Sequence, residues 1–199
     1  MTRLSKLGRV VLVLVAAALV AAPSCSRKPV EAPAAAPRTA NEDVVIADFK
    51  ERLAKYQTVS DKLRGELFPS NSEIKAEEIH KRQKELARRI IEALPGWQQG
   101  SIFTPEISAL IRGRLAQALT GTDGANIRGA IFDDAPPPQK IVVMTEYPSG
   151  APVATVPAQI LELLPVLPKE LEYRFVGTDL ILFDVSAYLM VDVVPNAIK

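Results

Sequence analysis

The sequence predicts an α+β fold in which a helical half precedes a small sheet. Residues 42–120 repeat apolar side chains at helical spacing, whereas residues 171–194 carry three short apolar runs divided by turn residues. A Pro/Ala-rich stretch, residues 25–41, separates the helices from an apolar N-terminal segment. We therefore divide the chain into that N-terminal segment (1–24), a tether (25–41), a helical region (42–120) and a small α+β module (121–199).

Residues 1–24 have the features of a signal peptide for export. Three basic residues precede an apolar run at residues 10–22, which is shorter than a membrane-spanning helix requires. The single cysteine of the chain, Cys25, follows directly, and residues 22–25 read Ala-Pro-Ser-Cys. This tetrapeptide resembles the cleavage site of bacterial lipoproteins, in which the cysteine becomes the acylated N-terminus. The resemblance implies lipidation at Cys25 and anchoring to a membrane.

Pro23 is unusual at such a site, so two alternatives stay open. Ordinary signal cleavage near Ala21 or Ala22 would leave Cys25 as a free thiol in a flexible tail, and an uncleaved segment would itself anchor the protein. We favour lipidation, because a lone cysteine directly after the signal is otherwise a coincidence. Ser26 is not the Asp-type signal that retains lipoproteins at the inner membrane. We therefore expect an exported, periplasmic protein anchored to the outer membrane.

The tether and the charge balance narrow the possible partners. Residues 26–41 read SRKPVEAPAAAPRTAN, without an apolar period, which is typical of an extended linker. The whole chain has a formal net charge of +1, and loss of the three basic residues of the signal lowers it to −2. Residues 120–199 hold 5 basic and 10 acidic side chains. This balance argues against a nucleic-acid partner.

The helical region opens with a predicted antiparallel helical hairpin. Steps of three and four residues define the apolar stripe of the first helix: Ile46, Phe49, Leu53, Tyr56, Ser60, Leu63 and Leu67. After a capping signal at Ser70 and Glu73, a second stripe follows: Ala76, Ile79, Gln83, Leu86, Ile90 and Ala93. Polar Ser60 and Gln83 interrupt the seam, so the hairpin needs support from the rest of the domain or from a partner chain.

A third helix is predicted from Thr104, a capping residue, and Pro105, which is well tolerated in a first helical turn. Gly121 should end it. The preceding loop carries three large apolar residues that we expect to anchor it in the core: Trp97, Ile102 and Phe103. Residues 121–138 contain glycines and three consecutive prolines, which predict an irregular connection.

The last module has the pattern of a β-α-β-β-β unit with a mostly antiparallel sheet. We predict a strand at 140–147, a short helix at 157–164, and strands at 171–176, 180–185 and 189–194. The strand at 180–185 is apolar on both alternating faces, which indicates a central strand covered on both sides. The helices are expected on one face of this sheet.

The run YRFVGTDLILFDVSAYLMVDVV, preceded by ILELLPVLP, carries a resemblance to known proteins. It resembles the C-terminal module of small, mostly uncharacterised bacterial periplasmic proteins in which a Tyr-Arg-aromatic strand opens a β-meander. The positions that carry this resemblance are Tyr173, Arg174 and Asp184. The resemblance implies a cell-envelope location and a small β module, and it transfers no catalytic residue.

Few residues suggest chemistry. His80, the only histidine, lies among charged residues on a predicted helix surface, so we expect neither a metal site nor a cofactor. Asp133 and Asp134 form a carboxylate pair that fits an exposed loop end. Arg174 and Asp184 are expected to form a structural pair across two strands. An enzyme that works through Asp133, Asp134 and Asp184 alone is the remotest alternative.

These observations favour a non-enzymatic structural or protein-interaction role in the cell envelope. The expected partners are the membrane, through the lipid, and another envelope protein or a second copy of the chain. The alternative is a periplasmic module that binds or senses a small ligand in a pocket between the sheet and the third helix.

Overall fold

The computed structural model describes residues 40–69, 74–134, 140–147 and 155–198. Helices are α1 (Ala40–Leu67), α2 (Ala76–Ala93), α3 (Pro105–Ala118), α4 (Gly121–Asp134) and α5 (Ala158–Leu161). Strands are β1 (Thr145–Glu146), β2 (Leu171–Val176), β3 (Asp179–Asp184) and β4 (Leu189–Val194). They form one antiparallel sheet, and the predicted α+β class with N-terminal helices is confirmed. No helix in these ranges is long and apolar enough to cross a bilayer.

Several predictions fall on other parts of the chain. The signal peptide, Cys25 and the tether up to residue 39 lie outside the described residues, as does the capping signal at Ser70 and Glu73. The last two residues of the predicted tether, Ala40 and Asn41, already belong to α1. Within the described part, α2 begins at Ala76 after Lys75, whose side chain makes no capping hydrogen bond.

Helices α1 and α2 form the predicted antiparallel hairpin. The stripe of α1 is buried at Ile46, Phe49, Leu53, Tyr56 and Ser60. Near the turn, Arg82 Nη1 donates to the carbonyl oxygen of Leu67 at 2.7 Å. The residues of α2 before Arg82 therefore extend past the end of α1. For this reason the predicted burial of Ile79 is wrong: its side chain is 42% exposed, and the buried residues of α2 are Leu86, Ala87 and Ile90.

The third helix begins as the sequence predicts, with Thr104 as N-cap and Pro105 in the first turn. Its buried face consists of Ile107, Ser108, Ile111 and Leu115. In the loop before it, Ile102 and Phe103 are buried and Trp97 packs against the same core, which confirms all three anchors.

The predicted irregular connection after α3 is wrong for Gly121–Asp134, which is helix α4. Gly121 has a φ of 71°, a left-handed conformation that turns the chain after α3 and allows a new helix to begin. Gly124 permits close packing, since a Cβ there would lie 2.2 Å from the carbonyl carbon of Leu119. Ile131 attaches the helix to the core. These glycines allow a helix to start and pack closely, although their number suggested a loop.

The strands run in the order β1-β4-β3-β2, with β3 between β4 and β2 as predicted. The predicted strand at 140–147 is reduced to Thr145–Glu146. Its shortening coincides with an irregular pairing: the N–H of Met144 donates to Met190, and Thr145 also pairs with Met190. Met144 has a φ of 58°, so the chain bends out of the strand there.

Both faces of the sheet are buried. One face shares a core with the helices and includes Phe175, Leu180 and Leu182. The opposite face has a smaller cluster, in which Ile181 and Val193 pack near three aromatic rings. These rings, of Tyr147, Phe183 and Tyr188, meet edge to face with centroids 5.2 to 6.0 Å apart. This burial explains why β3 is apolar at successive positions.

Candidate functional site

A buried carboxylate joins α1 to the end of β3. The hydroxyl of Tyr56 donates to Asp184 Oδ2 at 2.8 Å, and the N–H groups of Ser186 and Ala187 donate to Oδ1 at 2.8 and 3.0 Å. Burial raises the pKa of Asp184, and these donors oppose the rise. The bonds satisfy both carboxylate oxygens, so Asp184 has a clear structural role between helix and sheet.

The predicted pair between Arg174 and Asp184 is wrong. In the strand register Arg174 lies opposite Ile181, and Asp184 lies opposite Leu171. Because side chains alternate along a strand, this register sends Arg174 and Asp184 to opposite faces of the sheet. The guanidinium of Arg174 contacts the carboxylate of Glu172 on its own strand.

A second buried carboxylate, Asp192, was missed by the sequence analysis. It accepts hydrogen bonds from the N–H groups of Gly100 (2.9 Å), Ile102 (2.8 Å), Phe103 (2.8 Å) and Val193 (2.8 Å). Burial raises the pKa of Asp192, and these four donors oppose the rise. Asp192 thereby fixes the loop before α3 against β4. The sequence did contain a signal for this role: Asp192 is the single acidic residue in the otherwise apolar strand 189–194.

A concave surface lies along β2, which is one of the two edge strands of the described sheet. A groove of about 450 Å³ runs between β2 and the segment that contains α5. Its floor includes Leu171 and Tyr173, and its wall includes Leu161, Pro165 and Val166. Two wall side chains are unusually open for large apolar residues, with Val166 85% and Leu161 46% exposed. The groove therefore presents apolar surface to solvent.

Two hydrogen bonds hold the wall of the groove in place. The hydroxyl of Tyr173 donates to the carbonyl oxygen of Pro165 at 2.9 Å. From the helical half, Arg114 Nη1 donates to the carbonyl oxygen of Leu163 at 2.9 Å. Both β2 and α3 thus fix the segment that forms the wall.

The backbone of β2 contributes polar groups to the groove. The N–H of Val185 donates to the carbonyl oxygen of Glu170 at 3.1 Å. Continuing the antiparallel register from that pair, Glu172 and Arg174 are the residues that exchange backbone bonds with β3. Tyr173 lies between them, so its N–H and C=O point away from β3. Neither group has a hydrogen-bond partner among the described residues.

The other candidate residues lie apart from this groove. His80 is exposed on α2, and Asp133 is exposed at the end of α4, while the side chain of Asp134 lies outside the description. Asp184 is buried, and its carboxylate is hydrogen-bonded to the hydroxyl of Tyr56. In the ranges that the structure describes, no three His, Cys, Asp or Glu side chains are grouped to hold a metal ion. The groove also lies at the sheet edge, whereas the predicted pocket was placed between the sheet and the third helix.

Comparison with protein-family models, with curated proteins and with solved structures found no match to this chain. The resemblance of its last module to small periplasmic proteins stays a prediction.

Proposed function

We propose that this chain is an exported cell-envelope protein, anchored by a lipid on Cys25, whose folded part has a structural or protein-docking role. The order of segments carries the proposal: a basic start, an apolar run, a single cysteine, a Pro/Ala-rich tether, and then a fold that begins at Ala40. A lipoprotein that works at a distance from its membrane needs these parts in this order. Ser26 favours the outer membrane as the site of anchoring.

The surface of the folded part supports docking. Its two fully buried carboxylates, Asp184 and Asp192, are engaged in bonds that hold elements together. The groove along β2, by contrast, combines exposed apolar side chains with the backbone N–H and C=O of Tyr173, which have no hydrogen-bond partner within the described ranges. Such a combination suits contact with another molecule.

A second candidate function is the binding of a small apolar ligand. The observation that favours it is the size of the groove, since about 450 Å³ falls within the range of roughly 300 to 1,000 Å³ that is typical of ligand pockets. A small ligand would contact Leu161 and Val166 without needing the backbone of β2. A ligand that binds without hydrogen bonds to the backbone N–H and C=O of Tyr173 would favour this candidate over protein docking.

The lipid anchor is tested by growing cells that produce the chain with radiolabelled palmitate, followed by membrane fractionation. Wild type and Ser26→Ala should be labelled and found in the membrane fraction, because both keep the thiol of Cys25. Cys25→Ser should lose the label and leave that fraction. An unlabelled wild type in the soluble periplasmic fraction would contradict the anchor and favour the free ligand-binding module.

A further inference from the structure

We infer that the groove along β2 binds an extended peptide segment of a partner protein, which pairs with Tyr173 as an added strand. The peptide should carry aliphatic side chains at alternate positions and basic residues at its ends. This inference deepens the docking role proposed above and rests on it. It does not depend on the lipid at Cys25.

The backbone of Tyr173 supplies the directional part of recognition. Its N–H and C=O point away from β3 and towards the groove. This follows from the hydrogen bond between Glu170 and Val185, because bonded residues alternate along β2 from that pair. An extended peptide can satisfy this donor and this acceptor together, as strands do in an antiparallel or parallel pair. A compact apolar ligand would leave both groups without partners.

The walls of the groove supply the apolar part. Side chains of an added strand alternate between the two sides of the sheet, so every second residue of the peptide would face the wall. Leu161 and Val166 stand open there, next to Pro165. Covering two such side chains removes apolar area from water, which favours Val, Leu or Ile in the peptide.

The charge of the module that contains the groove favours basic residues at the ends of the peptide. Among the lining residues, Glu172 contacts the guanidinium of Arg174. Close to lining residues in the sequence, Glu162 and Lys169 are both exposed, so the excess of acidic charge belongs to the module as a whole. The module that contains the groove, residues 120–199, carries 10 acidic and 5 basic side chains. A peptide with Lys or Arg at its ends therefore complements this part of the chain, whereas an acidic peptide meets repulsion.

The edge of β2 lies at the floor of the groove, which favours a peptide over a second copy of the chain as the bound partner. Tyr173 is only 5% exposed, since it forms part of the groove floor. The β2 strand of another copy would be recessed to the same extent, so two folded edges cannot meet there. The groove contacts β2 from Leu171 to Arg174, which is enough for a peptide segment of about four residues, or roughly 13 Å of extended chain.

The test is selection from a phage library of random short peptides on the full chain, purified from producing cells whether it is found in the membrane or the soluble fraction. Selected peptides are then synthesised with a fluorescent label and measured by anisotropy. Val166→Lys removes apolar surface from the wall and adds a charge of the same sign as the ends of the peptide, so it should weaken binding by about tenfold or more. The matched control is Val44→Lys, which changes an exposed valine on α1 and should leave binding unchanged. Thermal unfolding of both variants verifies that each is folded.

A second measurement addresses the backbone. Methylation of the peptide nitrogens at the centre of a selected sequence removes donors while keeping its side chains, and should also weaken binding by about tenfold or more if a strand is added. The inference is overturned if no peptide is enriched in a Val166-dependent way, or if methylated peptides bind equally well. It is also overturned if the chain dimerises through this groove, as shown by a dimer that Val166→Lys dissociates.

Discussion

At the scale of single residues, the hydrogen bond between Tyr56 and Asp184 connects positions 128 residues apart. Tyr56 belongs to the stripe of α1, and Asp184 ends a central strand. Both groups are buried, and burial raises the pKa of each. Their contact gives the helical hairpin a fixed position on the sheet, because the hydroxyl of Tyr56 and Oδ2 of Asp184 would otherwise be buried without this hydrogen bond.

The raised pKa of Asp184 predicts a specific dependence of stability on pH. The folded state holds the proton more tightly than the unfolded state, whose carboxyl has its usual pKa of about 3.9. The stabilising contribution is therefore complete below about pH 3.9 and is lost as the pH rises through the folded pKa. In Asp184→Asn, which cannot titrate, the free energy of unfolding relative to wild type should rise as the pH increases from about 4, by up to about 1.4 kcal/mol per pH unit, until the folded pKa is passed.

Urea unfolding at several pH values measures this difference. Asn keeps an oxygen that accepts from Ser186 and Ala187, and its amide can donate to the hydroxyl oxygen of Tyr56. Tyr56→Phe is the control, because it keeps the titrating carboxyl. It also removes one donor that opposes the rise of the Asp184 pKa, so its pH dependence should be at least as strong as that of wild type. A difference between Asp184→Asn and wild type that stays constant with pH would contradict a raised pKa at Asp184.

At the scale of elements, the sequence predicted those whose ends are marked by local chemistry. The strands β2 and β4 have the predicted bounds, since turn residues flank short apolar runs there. The helix Gly121–Asp134 was missed because Gly121 acts through its left-handed conformation and Gly124 through its close approach to Leu119, which no local pattern reveals. The pairing of Arg174 was wrong for a related reason: the face of a strand residue depends on register. The groove could not be predicted, because it forms where β2 meets the segment that contains α5, and no local pattern shows that contact.

The role assigned to Gly124 predicts opposite effects of one substitution at two positions of α4. Gly124→Ala should destabilise the protein by about 1 to 3 kcal/mol, because the new Cβ would lie 2.6 Å from the carbonyl oxygen of Leu119 and α4 would have to move. Gly129→Ala is the matched control, since a Cβ there meets nothing within 4 Å. It should stabilise by about 0.5 to 1 kcal/mol through helix propensity.

Both variants are compared with wild type by urea unfolding monitored by far-UV circular dichroism. Changes of opposite sign are the expected result. If Gly124→Ala stabilised the protein as much as Gly129→Ala does, the close approach of α4 to the end of α3 would be wrong.

At the scale of the whole molecule, aromatic contacts connect the helical half to the sheet. Phe103 stacks on Phe49 of α1 with ring centroids 6.0 Å apart, and on Tyr173 of β2 at 6.3 Å. Asp192 of β4 binds the N–H of the same Phe103. The sequence indicated that Phe103 is an anchor, but its partners come from elements far apart in the chain. The helical region and the sheet thus share one core across the predicted boundary at residue 120.

This shared core predicts that the folded part unfolds as one unit. The fluorescence of Trp97, the only tryptophan, reports on the helical half, where its ring lies 6.0 Å from that of Tyr56. Far-UV circular dichroism reports on all elements.

With Phe103→Ala, both unfolding transitions should move together to lower urea concentration. The free energy of unfolding should fall by about 3 to 5 kcal/mol, because the lost ring touches both halves. Phe132→Ala, at a side chain 43% exposed on α4, is the control and should change stability much less. Two separate transitions, with only the tryptophan signal shifted by Phe103→Ala, would mean that helices and sheet are independent and that the stack does not couple them.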